Sequence, residues 1–190
     1  MSIELNTKSM RLEFDEETGA VYRITALKTG WDIMNSRENG LSWRIMIPLS
    51  EELRNNNALG EKQRLSSYQA DEDRIVFRWD RIHSERGGEH EISVALTIRS
   101  EGRQVVYEME IDNRSAYMVE NVYCPYLGAL TPPEGGAVAE AFRAQVRDGR
   151  GKNGLAPVHQ YVPLLRSGLP GDDYRRRWFS RGALYSAADA

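Results

Sequence analysis

The densest group of residues able to bind a small polar ligand is the aromatic and charged stretch "DDYRRRWF" at 172–179. Aromatic rings offer flat apolar surfaces, whereas arginine and aspartate offer planar hydrogen-bonding groups. Sugars present apolar C–H faces and hydroxyls, so this combination predicts a saccharide-binding site. The alternative is that Trp178 and Phe179 anchor the segment on the fold while the arginines stay solvated. The predicted ligand-binding residues are His159, Tyr161, Asp173, Tyr174, Arg177 and Trp178.

The histidines could also bind a metal ion, but their spacing does not favour it. His83 and His90 flank "SERGGE" and could reach one ion if this loop closes a hairpin. Neither has a ligand spacing on a rigid element, so we predict two polar residues at the end of a strand pair and no metal. Because the phosphate-loop and dinucleotide-binding motifs are absent, we also predict no cofactor.

Carboxylates and the single cysteine give no assignable catalytic residue. Glycoside hydrolysis needs two carboxylates across a cleft, whereas Glu108 and Glu110 share the predicted solvent face of one strand. Consecutive acids in "DEETG" predict a turn, because a calcium loop needs oxygen ligands at alternate positions over about twelve residues. Cys124 lies in the apolar stretch "NVYCPYLG", which predicts a buried thiol.

Composition is typical of a globular protein and excludes several partners. The 190 residues are 41% hydrophobic and 28% charged, with a net charge of −3. This charge predicts no binding to nucleic acid or to an anionic membrane. No apolar stretch approaches the roughly 20 residues of a membrane span. Because no basic start followed by an apolar run is present at the N-terminus, we expect a cytoplasmic protein.

Hydrophobic residues alternate with polar ones along several segments, which predicts antiparallel strands with one buried face. The segments 90–99 and 104–112 are joined by the short turn "SEGRQ" and predict a hairpin. Two glycines in "SERGGEH" predict a second tight reversal. The predicted core residues of the four clearest strands are Trp43, Ile45, Ile47, Ile75, Phe77, Trp79, Ile92, Val94, Leu96, Ile98, Val105, Tyr107, Met109 and Ile111.

Helical signals are scarce, so the sequence predicts an all-β domain over 1–150. One short helix is expected at Ser50–Arg54, where Ser50 would cap a first turn rich in acids. The secondary structure of 137–151 is ambiguous: its alanines favour a helix, and the preceding "TPPEGG" marks a break. The segment 151–190 contains Pro157, Pro163 and Pro170 together with several glycines, which predicts an irregular aromatic and arginine-rich tail.

The order of these segments resembles the N-terminal galactose-mutarotase-like β-sandwich of glycoside-hydrolase-like proteins. The resemblance rests on "MRLEFDEETGAVYRIT", "GLSWRIMIPL", "RIVFRWDRI" and "EISVALTIRS" followed by "VVYEMEIDNRSAYMVENVYCPYLGAL", covering about 9–130. It implies a large two-sheet antiparallel sandwich that precedes a catalytic (β/α) barrel. The stretch "GLPGDDYRRRWFS" is similar to the passage leading to that barrel.

The resemblance implies a non-catalytic carbohydrate-binding or framing domain of a glycoside hydrolase system. Its expected partners are a saccharide and a catalytic barrel in cis or in trans, since no barrel pattern follows before Ala190. Mutarotase-type enzymes use a histidine and a glutamate that have no assigned counterpart here. Two alternatives remain: a small aldose epimerase or lyase, and a structural subunit that docks on a catalytic partner.

Overall fold

The fold is all-β throughout the part of the chain that the structure describes. The computed structural model describes residues 2–38, 40, 42–49, 55–102, 104–128 and 130–131, and the backbone of 177–185. These ranges contain no α-helix, only one 3₁₀ turn at Gly60–Lys62. The strands are β1 (Ile3–Asn6), β2 (Met10–Phe14), β3 (Val21–Ala26), β4 (Asp32–Asn35), β5 (Arg44–Met46), β6 (Asn57–Leu59), β7 (Ser67–Ala70), β8 (Arg74–Trp79), β9 (His83–Ser84), β10 (Gly88–Glu89), β11 (Ile92–Glu101), β12 (Gln104–Asn113), β13 (Asn121–Tyr123) and β14 (Arg177–Tyr185).

Neighbouring strands pair antiparallel, which confirms the prediction from alternation. Within the described ranges the sheets have the orders β1-β2-β3-β4, β14-β12-β11-β8-β7, β13-β5-β6 and β10-β9. The predicted hairpin at 90–112 is the β11–β12 pair, whose register runs from Ile92↔Asn113 to Glu101↔Gln104. The "SERGGEH" reversal is the β9–β10 pair. The all-β class is therefore confirmed, whereas the mutarotase-like sandwich remains a prediction.

Burial follows the predicted alternation closely. The fourteen core residues named from the sequence are at most 2% exposed. The residues that alternate with them in the same strands are mostly half-buried or exposed, with Val76 and Val106 as buried exceptions. One face of each strand is thus removed from water, and this burial supplies the main stabilising free energy.

Aromatic side chains join three of the sheets into one core. The Phe14 ring of β2 lies 5.2 Å from the Phe77 ring of β8, measured between centroids. The Trp79 ring, also on β8, lies 5.4 Å from Trp43, the residue before β5, in an edge-on arrangement. Trp79 Nε1 also donates a hydrogen bond to the Thr18 carbonyl at 3.1 Å. These contacts fix the three-stranded sheet relative to the two larger sheets.

The acidic stretch "DEETG" is a turn, as predicted. Asp15 Oδ1 accepts hydrogen bonds from the backbone N–H groups of Glu17 and Thr18, both at 3.0 Å. The Gly19 N–H donates to the Asp15 carbonyl at 2.8 Å, and Gly19 adopts a φ of 69°. Glycine takes this left-handed conformation without the steric cost of a Cβ. The Asp15 side chain is therefore used to close the turn between β2 and β3.

A β-bulge breaks the alternation in β3. Glu13 pairs with Arg23 and Phe14 with Val21, so Tyr22 is an extra residue without a partner in β2. A bulge of this kind reverses the faces of the residues that precede it. Val21 and Ile24 consequently both enter the core although they are three positions apart, an offset that places residues on opposite faces of a regular strand. Regular alternation of buried and exposed residues therefore does not hold at Val21.

The irregular tail predicted for 151–190 contains a regular strand. β14 pairs with β12 from Asp112↔Arg177 to Gln104↔Tyr185 and belongs to the same sheet. The prediction failed here because glycine and proline content reflects only the local sequence. The backbone of 177–185 instead pairs with the edge of β12, which is distant from it along the chain. The predicted helix at Ser50–Arg54 and the ambiguous segment 137–151 lie outside the described residues.

Among the described residues, no helix has the length and apolar character that a membrane crossing requires.

Candidate functional site

Most of the predicted ligand-binding residues fall where the structure makes no statement. His159, Tyr161, Asp173 and Tyr174 lie outside the described residues. The backbones of Arg177 and Trp178 begin β14, opposite Asp112 and Ile111 of β12. The saccharide site proposed for this cluster therefore stays a prediction.

The same combination of groups occurs in the described part of the chain, on the three-stranded sheet. Tyr123 of β13 pairs with Arg44 of β5, and Arg44 pairs with Leu59 of β6. Because paired residues of adjacent strands share a face, the aromatic ring and the guanidinium stand side by side. The opposite face carries Ile45 and Ala58, both 0% exposed. We name the residues Arg44, Asn57, Glu85 and Tyr123 the Tyr123–Arg44 face.

Hydrogen bonds link the members of this face in a row. The Arg44 guanidinium carbon lies 5.4 Å from the centre of the Tyr123 ring, within cation–π range. Arg44 Nε donates to Asn57 Oδ1 at 2.9 Å, and Asn57 Nδ2 donates to Glu85 Oε2 at 3.2 Å. A second ring, that of Tyr126, lies 6.3 Å from Tyr123 between centroids. The row therefore holds flat rings, a planar donor, an amide and a carboxylate in fixed positions.

Buried amides attach the β9–β10 hairpin to this sheet and so position Glu85. The Glu85 N–H donates to the Asn57 carbonyl at 2.8 Å. Asn56 Oδ1 accepts from the Arg86 N–H at 2.9 Å, and Asn56 is 0% exposed. Gln63, also buried, accepts from the His83 N–H at 2.7 Å and donates to the His83 carbonyl at 2.9 Å. The hairpin is thus fixed at both of its ends.

Two further charged groups act on the Glu85 carboxylate. Lys62 Nζ lies 3.7 Å from Glu85 Oε1, a solvent-exposed ion pair. The neighbouring Glu61 has its pKa raised, mainly by burial and in part by the negative charge of Glu85. Glu61 Oε2 has no hydrogen-bond partner within the described ranges. Positive and negative groups therefore alternate along this edge of the face.

Sequence analysis missed this face because its members come from four separate segments. Arg44, Asn57, Glu85 and Tyr123 are adjacent only through the β13–β5–β6 pairing and the docking of the hairpin. The available signal was that Arg44 occupies a solvent-side position of an alternating strand. Nothing local indicates that Tyr123 lies opposite it.

Of the histidines that the structure describes, His83 and His90 have different side-chain partners. The His83 side chain is exposed, with Nε2 at 3.8 Å from Glu89 Oε2. His90 is only 3% exposed, and its Nε2 lies 2.7 Å from Ser84 Oγ. Within the part of the chain that is described, no three histidine, cysteine or carboxylate groups are placed to hold a metal ion.

The stability of the protein is expected to depend on the protonation of His90. Burial, with a smaller contribution from His83, lowers the pKa of His90 below its ordinary value of 6.5. Between the lowered pKa of the folded protein and the ordinary pKa of the unfolded chain, the unfolded chain binds a proton that the folded chain does not. The free energy of unfolding should therefore be unaffected by His90 above about pH 6.5 and should fall as the pH decreases below it.

Urea unfolding at several pH values between about 7.5 and about 5.5 tests this dependence. The decrease should be smaller in His90→Gln than in the parent protein. His83→Gln serves as the control. Because His83 is exposed, its substitution should leave most of the pH dependence of the free energy of unfolding. If the free energy of unfolding falls equally with decreasing pH in the parent protein and in His90→Gln, the expectation is contradicted.

Cys124 is buried, and Glu108 is hydrogen-bonded to an arginine. Burial raises the pKa of the Cys124 thiol to about 12, so it is uncharged at neutral pH. This confirms the predicted buried thiol. Glu108 accepts two hydrogen bonds from Arg99, at 3.0 and 3.2 Å, and its neighbour on the same strand face, Glu110, is exposed.

Comparison with known families and curated proteins gives no match. No family model matches the chain. No curated protein is similar to it either.

Proposed function

We propose that the chain is a non-catalytic carbohydrate-binding or framing domain of a glycoside hydrolase system. The Tyr123–Arg44 face carries this proposal, because it joins two neighbouring tyrosine rings to a guanidinium, an amide and a carboxylate. A sugar ring lays its C–H face on an aromatic ring and directs its hydroxyls to planar donors and acceptors. The face supplies both kinds of group within one row.

The contacts within the row also favour binding because they reduce its entropic cost. Arg44 is held by Asn57 on one side and by the Tyr123 ring on the other, so its side chain is ordered before a ligand arrives. A side chain immobilised only on binding costs about 0.5–1.5 kcal/mol. The proposed partner of the domain is a catalytic (β/α) barrel, in cis or in trans, against which the domain packs.

Calorimetric titration with a panel of sugars tests the proposal. The panel contains D-glucose, D-galactose, D-xylose and short oligosaccharides of each. Tyr123→Ala should weaken binding of the responding sugar by about five- to thirtyfold, because it removes aromatic contacts of about 1–2 kcal/mol. Arg44→Gln should weaken it through loss of the guanidinium.

A surface tyrosine on another sheet provides the matched control. Tyr68 of β7 is 48% exposed and lies in a different sheet from Arg44, Asn57 and Tyr123. Tyr68→Ala should bind the sugar like the parent protein. The proposal is abandoned if the parent protein binds no member of the panel and no barrel protein co-purifies with it. It is also abandoned if Tyr123→Ala and Tyr68→Ala bind equally.

A further inference from the structure

A serine and a buried histidine are hydrogen-bonded in the β9–β10 hairpin, outside the Tyr123–Arg44 face. Ser84 Oγ lies 2.7 Å from His90 Nε2. The His90 ring is buried and packs edge-on against the Tyr117 ring, with 5.2 Å between centroids. The distance is that of a nucleophile and its general base, and the packing fixes the orientation of the base.

The surrounding contacts favour the serine as donor in this hydrogen bond. The Gly87 N–H donates to Ser84 Oγ at 3.1 Å and so occupies one lone pair of the hydroxyl. Burial keeps the imidazole neutral by lowering the pKa of His90. In the tautomer with its proton on Nδ1, the Nε2 atom accepts the Ser84 hydroxyl proton.

The hairpin loop that follows Ser84 is exposed to solvent. Residues 85–89 are exposed, and Ser84 itself is half-buried. A Cβ at Gly87 would lie 3.1 Å from Ser84 Oγ and 3.0 Å from His90 Cε1. Glycine at this position therefore leaves room beside the pair that any other residue would fill.

The charged groups around the pair belong to the hairpin and to the strands beside it. Arg81 makes ion pairs with Glu89 at 3.2 Å and with Glu91 at 3.3 Å. Glu85 is directed to Asn57 and Lys62. His83 faces Glu89 and adds a small electrostatic effect that also disfavours protonation of His90. These carboxylates have cationic or amide partners of their own.

The proposed sugar-binding role leaves glycosidic bonds to the catalytic partner; as a separate activity of the domain, we propose that Ser84 is a nucleophile activated by His90 and that it is acylated by small carboxylic esters. In the first step a bond forms between Ser84 Oγ and the ester carbonyl carbon, while His90 Nε2 takes the hydroxyl proton. The bond from that carbon to the alcohol oxygen then breaks, and His90 returns the proton to the leaving alkoxide. Water then attacks the acyl carbon while His90 Nε2 takes its proton. The bond from that carbon to Ser84 Oγ breaks, and His90 returns the proton to Oγ as the acid is released.

The probe for this activity is p-nitrophenyl acetate incubated with the full chain. We expect rapid release of p-nitrophenolate. One acetyl group should be transferred to the protein, and peptide mass spectrometry should locate it on Ser84. The rate should rise with pH through the titration of a single group below about pH 6.5, because the neutral imidazole is the base. Acetyl groups on lysines with Ser84 unmodified would overturn the proposal, and this measurement needs no variant.

Three variants separate catalysis from a role in hairpin structure. Ser84→Ala should abolish the rapid release, and His90→Gln should slow it at least about hundredfold. Ser93 is a half-buried serine on β11, and the Ser93→Ala variant should react like the parent protein. If folded Ser84→Ala, checked by circular dichroism, releases p-nitrophenolate at the parent rate, the pair serves only to close the hairpin.

Discussion

Trp79→Ala is expected to lower the free energy of unfolding by about 3–5 kcal/mol, the usual cost of removing a large buried aromatic side chain. Trp79 is 1% exposed and contacts the rings of Trp43 and Phe77. Its Nε1 also donates to the Thr18 carbonyl in the β2–β3 turn. The substitution therefore creates a cavity where three sheets meet and removes a hydrogen bond.

Equilibrium unfolding in urea measures this change, with two variants for comparison. Trp79→Phe keeps an aromatic ring in the core and should cost less than the alanine variant. Tyr68→Ala removes an aromatic side chain that is 48% exposed, and should cost about 0.5 kcal/mol or less. A loss below about 1 kcal/mol for Trp79→Ala would mean that this region of the core does not join the sheets as described.

Gly19→Ala is expected to destabilise the protein by about 2–5 kcal/mol through two separate effects. Gly19 has a φ of 69°, which costs an L-residue about 1–2 kcal/mol. A Cβ at this position would lie 2.9 Å from Trp79 Cζ2 and 3.2 Å from Leu65 Cδ1. Overpacking of this kind adds about 1–3 kcal/mol.

Gly102→Ala isolates the conformational part of this cost. Gly102 has a φ of 65°, but a Cβ there would meet nothing within 4 Å. The difference between the two alanine variants in urea unfolding is therefore the free energy of the steric contact with Trp79 and Leu65. Equal losses for the two variants would contradict the close approach of the β2–β3 turn to the core.

The two substitutions should be coupled, since they act on the same contact. In a Trp79→Ala background the indole ring is absent, so the Cβ of Gly19→Ala loses its closest contact, the one of 2.9 Å. The double variant should lose less stability than the sum of the single losses, by an interaction energy of about 0.5–3 kcal/mol. Additive losses would indicate that the clash is relieved elsewhere.

Much of the fold follows from alternation, because each strand covers the core on one side only. The β11–β12 hairpin is the clearest case: its core residues and its short turn agree with the sequence. The pattern fails where the backbone leaves regular pleating, as at the bulge that turns Val21 inward. It fails again at β14, because a local composition rich in arginine and glycine does not reveal the edge of β12.

The candidate site could not be predicted for a different physical reason. Sequence analysis selects residues that are close along the chain, such as those at 172–179. Arg44, Asn57, Glu85 and Tyr123 become neighbours only through strand pairing and through the buried amides that hold the β9–β10 hairpin. Ser84 and His90 are nearer in sequence, but their contact depends on the reversal between β9 and β10.

The position of β14 has a consequence for the order in which the chain folds. Its partners in β12 are separated from it by more than sixty residues, since Asp112 pairs with Arg177, whereas β11 and β12 are joined by a tight turn. Distant pairings form slowly because a long loop must close first. We expect β14 to be the last strand added, so the newly made chain carries an unpaired β12 backbone that chaperones or other chains can capture.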